Sequence, residues 1–413
     1  MKSIKPKIAV VGANARAVAE SAKRMGCETY FVNYFSDPDT LKSAEHVFSM
    51  QANPLNPDFR EGYSRGKLVD FAVRKLSGRV ENVLPASSVG SDWAMVERLE
   101  NHFKILGNSS KQVKKSRDWR VLKKIFDKFK INYPKTLIFD GFNSFGGIDS
   151  FRGFKFPAVV KPSVEKEFQI KLVNNETELN NFLSETQKKF SACKKKLNGK
   201  ILVQEFIPGV PVSASVLSNG KESVTVSVNK QLIGLSELNA PGRFTYCGHV
   251  TPLDMGSDLT AKISGISTKI ISNLGLVGSV GIDFVVSGSD VYFMEINPRF
   301  QDTLEAVERY RSINLVEKHI EACEGKLNKN LDLIFLNRAP GKFFAKGVLF
   351  SDKKIKAGNL NNISGIHDIP TEGAVINEGE PVCTIFVSGK NEPDAVKNLF
   401  KSAGLIKNES III

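Results

Sequence analysis

Two apolar strands that each carry an acid, separated by a short turn, constrain this chain more than any other stretch. Asp283-Phe-Val-Val and Val291-Tyr-Phe-Met-Glu295 are β-branched and aromatic, with Ser287-Gly-Ser-Asp290 between them. That pattern predicts a β-hairpin. On paired strands Asp283 and Glu295 can lie across from one another, and Asn297 and Arg299 follow at once. Two carboxylates and a carboxamide form an oxygen-only set. Such hard donors suit Mg²⁺, with Mn²⁺ as the second choice, and Mg²⁺ usually bridges to nucleotide phosphates. An arginine beside them can hold an anion in a bidentate grip. The plain alternative is an ordinary hairpin with acids at its ends.

The chain opens with Ile8-Ala-Val-Val-Gly12, a buried-type strand, then a helical stretch from Ala13 to Met25 and a second strand, Glu28-Thr-Tyr-Phe-Val-Asn33. A βαβ opening implies a parallel sheet. The G-x-G-x-x-G fingerprint is absent, because Gly12 is followed by Asn14 and Arg16, so a dinucleotide site is not expected. The Gly12 turn and Arg16 could instead bind part of an anionic substrate at the helix N-terminus, or Arg16 is a plain surface residue. Strands at Asn82–Ser87 and Phe103–Gly107, with a helix over Asp92–Leu99 between them, complete a small α/β sheet.

Downstream, Ser116–Phe129 has helical spacing and Pro134 follows the stop. Phe156-Pro-Ala-Val-Val-Lys161 places a lysine directly after an apolar strand, where its charge is available to a phosphate. Thr177–Gln187 reads as helix, and Lys200-Ile-Leu-Val-Gln-Glu-Phe-Ile-Pro-Gly209 as a buried strand. Two alternating strands, Val212–Leu217 and Ser223–Val228, are joined by Asn-Gly, a hairpin turn. Gly242–Pro252 is polar, glycine-bearing and aromatic at once. Within it His249 could orient an acyl group or take a proton, or serve as a structural histidine, and nothing pairs Cys247 with a base. Thr303–Cys323 has helical spacing. Strands punctuated by glycine and proline, then a helix from Glu392, fill residues 331–413.

In this order, the lysine strand, the strand at 200–209 and Asp283…Glu295-Ile-Asn-Pro-Arg299 resemble the ATP-grasp superfamily. GANARAVAESAKRMGCETYFVNYFSDPD looks like its archaeal carboligase-like members, related to biotin carboxylase and carbamoyl-phosphate synthetase. The resemblance implies an α/β chain (α+β in the ATP-grasp part) of three domains: Rossmann-like over 1–108, ATP-grasp over 109–328 and β-rich over 329–413. It implies ATP as cofactor, with Asp283, Glu295 and Asn297 holding Mg²⁺ on it. Lys161 would meet the α- and β-phosphates, and a basic residue near the start of the 116–129 helix, assigned to Arg120, the phosphates as well. Gln204, Glu205, Phe206 and Ile207 would line adenine and ribose. Arg299 would face the transferred phosphate or the acyl group, and Gln301, Arg16 and His249 the substrate. Arg299 and Lys161 would be the catalytic pair. The activity implied is activation of a carboxylate as an acyl phosphate for attack by an amine or similar nucleophile.

One departure stands out. Many members follow the phosphate lysine with a glycine-rich loop, whereas Ser163-Val-Glu-Lys-Glu-Phe-Gln-Ile-Lys171 has no glycine. Without glycine the backbone cannot approach the phosphates as closely, which motivates a second reading, an ATP-binding protein of the same fold with weak or no turnover. Lys166 or Lys171 would compensate. A third reading, nucleic-acid binding, rests on the net charge of +13, but the lysines are dispersed along helical stretches, and nucleic acid is not expected as the partner. The composition, 41% hydrophobic and 24% charged, is globular. No apolar run of about eighteen residues predicts a membrane span, and the basic N-terminal tip runs directly into a strand. Five scattered cysteines without a C-x-x-C pair point to a reducing cytoplasm. The expected partners are a small carboxylate and a nucleophile, and a homodimer is compatible with both.

Overall fold

The computed structural model describes residues 6–51, 63–140, 153–162, 170–192, 200–327, 341–409 and 411–412. The glycine-free loop at 163–169, including Lys166, lies outside the described residues. The chain divides into two compact units, one of residues 1–130, 210–284 and 295–413, the other of residues 131–209 and 285–294. These units cut the chain differently from the expected boundaries at 108 and 328.

In the first unit a five-stranded sheet has the order β3-β2-β1-β4-β5, from β1 (Lys7–Val11), β2 (Glu28–Asn33), β3 (His46–Ser49), β4 (Asn82–Pro85) and β5 (Lys104–Ile105), with all pairs parallel. Apolar residues on both faces explain why this sheet forms. Ile8 and Val10 pack in one core with Val18, Ala19 and Leu84, while Ala9 and Val11 pack in another with Val32, Leu68 and Leu76. A strand buried on both sides reads as a continuous apolar run because a helix layer covers each face. The strand order reverses between β1 and β4, so their carboxyl ends open a crevice where open α/β sheets bind ligands.

The second unit holds a four-stranded antiparallel sheet in the order β6-β9-β7-β8, made of β6 (Thr136–Phe139), β7 (Ala158–Pro162), β8 (Lys171–Val173) and β9 (Ile201–Glu205). Ala158, Val160, Val173, Ile201 and Val203 bury one face against Leu179 and Leu183 of the helix Glu176–Ala192.

The largest sheet has eight strands in the order β14-β13-β10-β11-β12-β15-β19-β17. These are β10 (Val210–Asn219), β11 (Ser223–Ile233), β12 (Tyr246–Thr251), β13 (Val277–Ser287), β14 (Asp290–Asn297), β15 (Phe343–Phe350), β17 (Ile366–His367) and β19 (Pro381–Gly389). β16 (Ile355–Lys356), β18 (Val375–Ile376) and β20 (Ile411–Ile412) form a separate three-stranded sheet. The expected hairpin is present as β13 and β14, turning at Gly288 with φ +60°. The β-rich C-terminal part is present too, and its strands continue the large sheet: β15 pairs with β12, and β19 with β15. Among the described residues no helix is long and apolar enough to cross a membrane.

Register between β12 and β15 depends on one glycine. Gly248 lies opposite Gly347 with φ +137°, and a Cβ there would sit 1.9 Å from the Lys346 carbonyl oxygen. Only glycine takes this conformation without strain. Gly248→Ala is therefore expected to destabilise the protein by about 3 kcal/mol, combining left-handed strain with overpacking. Equilibrium unfolding in urea measures it, and an unchanged midpoint would refute this account of the register.

Candidate functional site

Asp283 on β13 and Asn297 at the end of β14 meet directly, the Asn297 amide donating to Asp283 Oδ2 at 2.9 Å. Asp283 Oδ1 accepts from Gln231 Nε2 on β11 at 3.0 Å and from Gln301 Nε2 at 3.5 Å. Three amides thus converge on one carboxylate. Burial, then the charge of Glu295, pushes the Asp283 pKa up to about 7. Glu295 is more open, and its Oε1 accepts from Arg117 at 2.6 Å.

Arg299 is anchored along its length. Its Nε donates to Ser91 Oγ at 2.7 Å, Nη1 to the Phe300 carbonyl at 2.8 Å, and Nη2 reaches Asn297 Oδ1 at 3.5 Å. Ser91 follows the short turn of helix after β4, so Arg299 stands at the mouth of the crevice of the parallel sheet. A Cβ at Gly90 would come within 3.1 Å of Arg299 Cβ and 2.7 Å of the Pro85 carbonyl oxygen. Gln301 lies across β13 in the space left by Gly281, where a Cβ would fall 1.9 Å from the Gln301 carboxamide carbon. Ser215 Oγ donates to Gln301 Oε1 at 3.1 Å.

Beyond Gln301 the polar groups continue. Asp302 Oδ1 accepts from Lys346 at 2.7 Å, and Glu305 Oε2 accepts from the same ammonium at 2.8 Å. The Tyr246 hydroxyl lies 2.9 Å from His249 Nδ1 and 3.4 Å from Asp302 Oδ2. His249 is fully buried. Burial, against the pull of Asp302, takes its pKa down to about 4, so the ring is neutral at pH 7. Cys247 is buried as well, and burial raises its thiol pKa.

Of the expected site residues, Asp283, Asn297, Arg299 and Gln301 form one bonded set, and the charge of Glu295 acts on Asp283. Arg16 is 2% exposed and does not face open solvent. It contacts Glu20, Asp39, Glu305 and Asp368 at 2.9–3.5 Å. Arg120 points outward and folds back on Asp118, and its neighbour Arg117 is the one that reaches Glu295. In the second unit Lys161 is the penultimate residue of β7, opposite Leu202. Gln204 is buried and donates to Thr136 Oγ1 at 2.9 Å. The amides of Glu205 and Phe206 donate to the carbonyls of Lys135 and Pro157 at 3.0 and 2.9 Å. Sequence reading chose Arg120 over its neighbour Arg117, and gave no role to Gln231, Tyr246, Glu305 or Lys346. For Gln231 a signal existed in the alternation of its strand, which runs on to Ile233.

A divalent ion fits this donor set. Among the described residues no three His, Cys, Asp or Glu side chains gather to hold a metal by themselves. The protein offers two carboxylates and an amide oxygen, and burial, then the charge of Glu295, raises the pKa of Asp283. Mg²⁺ is bound in this way, by one or two carboxylates with substrate phosphates and water completing its shell.

Residues 151–303 match the family model described as an ATP-grasp domain. An uncharacterized protein of Methanocaldococcus jannaschii is 28% identical over 399 residues, spanning 96% of this chain and 91% of that one. The carbamoyl phosphate synthase large chain of Pyrococcus furiosus is 25% identical over 265 residues, 62% of this chain but only 23% of that protein. Among solved structures, the biotin carboxylase domain dimer of Hydrogenobacter thermophilus 2-oxoglutarate carboxylase, in complex with MgADP, ADP and bicarbonate, superimposes with a TM-score of 0.71 at 16% identity, covering 96% of this chain and 89% of that one. The L-amino acid ligase of Bacillus licheniformis gives 0.71 at 15% identity, with 100% and 99% covered.

The raised pKa of Asp283 has a measurable sign. An unfolded aspartate titrates near 3.8 and the folded one at about 7, so over that window the folded state binds more protons. The metal-free protein is expected to lose stability as pH rises between those values. Asp283→Asn removes this contribution. Urea midpoints recorded from pH 4 to 8 without metal test it, and parallel curves for wild type and variant would contradict it.

Proposed function

We propose that the chain, whose residues 151–303 match the ATP-grasp domain model, is an ATP- and Mg²⁺-dependent carboxylate–amine ligase of the ATP-grasp superfamily. The observation that carries the reading is the Asp283–Glu295–Asn297 set with Arg299 fixed beside it, a paired-carboxylate arrangement whose mutual repulsion a divalent cation relieves. The solved structures of like fold include an enzyme described as an L-amino acid ligase and a biotin carboxylase domain with MgADP and bicarbonate, and both descriptions support a carboxylate as the group activated.

In this reading a substrate carboxylate oxygen attacks the γ-phosphorus, ADP leaves, and an acyl phosphate results. The amine nitrogen then bonds to the acyl carbon, the carbon–oxygen bond to phosphate breaks, and the amine gives up a proton. Bound Mg²⁺ would neutralise phosphate charge. Asp283, Glu295 and Asn297 would hold it. Arg299, pinned by Ser91 and Phe300, would present its remaining donor edge to the transferred phosphate or the acyl oxygen. Preorganisation of this kind is worth more than flexible charge because no reorientation is needed during reaction. Lys161 would meet the ATP phosphates. With the amides of Glu205 and Phe206 already engaged, adenine would be read by the carbonyl of Glu205 and the amide of Ile207. Arg117, which donates to Glu295 at 2.6 Å, would take the role expected of Arg120.

Substrate-dependent ADP release over a carboxylate and amine panel tests the proposal. Glu295→Ala is expected to lower the rate at least 100-fold, and wild-type turnover in that variant would sink the metal assignment. Tight Mg·ATP binding with no ADP from any pair would favour the non-catalytic reading.

A further inference from the structure

Residues 106–117 grip the acid-bearing hairpin at its start and at its end. Asn108, just after β5, is 5% exposed. Its Oδ1 accepts from the Val277 amide at 2.8 Å, and its Nδ2 donates to the Val277 and Pro298 carbonyls, each at 3.0 Å. A backbone N–H needs an acceptor, so the Val277 amide fixes which way the carboxamide faces. Both carboxamide hydrogens and the oxygen are then engaged. This buried side chain ties the first residue of β13 to Pro298, which stands between Asn297 and Arg299.

The backbone of β13 explains why side chains are needed there. Gly278 has φ +75°, and a Cβ on it would fall 2.4 Å from the His319 ring. Regular strand geometry is interrupted at such a residue. The amides on either side of it are taken up by side chains, Val277 by Asn108 and Ser279 by His319 Nδ1 at 2.7 Å. Because Nδ1 accepts, His319 Nε2 carries the proton and donates to the Leu106 carbonyl at 3.2 Å. His319 thus holds the strand to Leu106, whereas Asn108 carries on to the residue before Arg299. The helix Ser110–Ser116, opened by a capping box of Ser109 and Gln112, adds two more bonds. Gln112 and Lys115 donate to the Gly275 and Leu274 carbonyls at 2.6 and 2.8 Å. Arg117 completes the grip on Glu295.

We propose that Asn108 is a positioning residue for the Asn297–Arg299 turn. Its carboxamide sets the offset between β13 and that turn at which Asn297 bonds Asp283 and Arg299 stands beside them. The proposal rests on the ligase reading and adds to it a residue outside the donor set itself. Without Asn108 the buried Pro298 carbonyl loses a donor, and a buried acceptor left unpaired moves toward water. Such a movement draws Asn297 away from Asp283 and swings the start of the Arg299 side chain. A misplacement of about 1 Å in groups of this kind costs on the order of 100-fold in rate. Aspartate is the sharpest replacement. It keeps the shape and the acceptor for Val277, but sets an oxygen against two carbonyl oxygens.

Calorimetric binding of the non-hydrolysable analogue β,γ-imido-ATP to the full chain tests it, once in EDTA and once across a Mg²⁺ titration. The proteins compared are wild type, Asn108→Asp, Asn108→Ser and Gln112→Ala. Both Asn108 variants are expected to need at least tenfold more Mg²⁺ for half its effect, with affinity in EDTA unchanged. In ADP release they are expected to lose at least tenfold in kcat at saturating Mg²⁺, with KM for ATP within threefold of wild type. Gln112→Ala, whose lost bonds run to Ser109 and Gly275, is expected to lower the urea midpoint and leave the Mg²⁺ response as it was. Asn108 variants with a lowered urea midpoint but a wild-type Mg²⁺ response would make the residue structural only and overturn the proposal. Should neither variant fold, asparagine-selective ¹⁵N spectra of the wild type decide. The Asn108 side-chain hydrogens are expected to exchange slowly and to shift when Mg²⁺ and β,γ-imido-ATP are added together, and rapid exchange or unmoved signals would overturn the proposal. An altered Mg²⁺ response without ADP release from the wild type would sustain the positioning role and count against the ligase. ADP release and Mg²⁺ response both unchanged in the Asn108 variants would overturn the positioning role and leave the ligase reading intact.

Discussion

Glu305 is the contact on which the first unit depends. Its carboxylate meets Arg16, from the helix Arg16–Arg24 of the N-terminal sheet, at 3.3 Å and Lys346, from β15, at 2.8 Å. Burial opposes its ionisation, yet these two cations hold its carboxyl well below the usual range. Burial likewise opposes the charges of Arg16 and Lys346, and the surrounding carboxylates outweigh it. Each buried ion costs several kcal/mol of lost hydration, offset only when its partners are in place. Truncating Glu305 would take one partner from each cation, leaving Lys346 with Asp302 and Arg16 with Glu20, Asp39 and Asp368. Such an arrangement is a weak source of net stability and a strong source of specificity. It tolerates few alternative packings of the three segments it joins.

That specificity is transmitted to the site. The helix Leu304–Arg311 begins immediately after Gln301, Asp302 and Thr303, so fixing Glu305 in its first turn fixes those residues. Gln301 and Thr303 bond Ser215, and Gln301 reaches Asp283. The donor that steadies the carboxylate on β13 is thereby tied to ion pairs formed with both ends of the chain.

The sheets were legible in the sequence because their signals are local. β1 shows as a run of four buried apolar residues, and β13 and β14 as acid-bearing strands about a Ser-Gly-Ser-Asp turn. Boundaries were less so. Ser116–Phe129 reads as one helix, but Asp118 accepts from the Arg120 amide and starts a new helix at Trp119. The break turns Arg117 toward Glu295 and leaves Arg120 in solvent, which spacing alone cannot show. Thr303–Cys323 divides similarly, at Ser312 with φ +54°, before Asn314 caps the next helix. Arg16 was legible as a charged residue at a helix start, but its setting depends on Asp368 and Glu305, which no local pattern brings near. Gln231, His249 and Lys346 stand in one row only through strand pairing across long separations, so each residue looks ordinary in its own segment.

The cavity left by Gly281 has an evolutionary reading. Any side chain there would occupy the volume that Gln301 fills, so the two positions are not independent letters. In diverging relatives, a shorter residue at 301 would release 281 to accept alanine or serine, whereas the reverse order of events passes through a form with its glutamine evicted. Glycine at 281 thus reports on the residue at 301, and comparing the two across related chains would separate those that keep this amide at the carboxylate from those that have abandoned it.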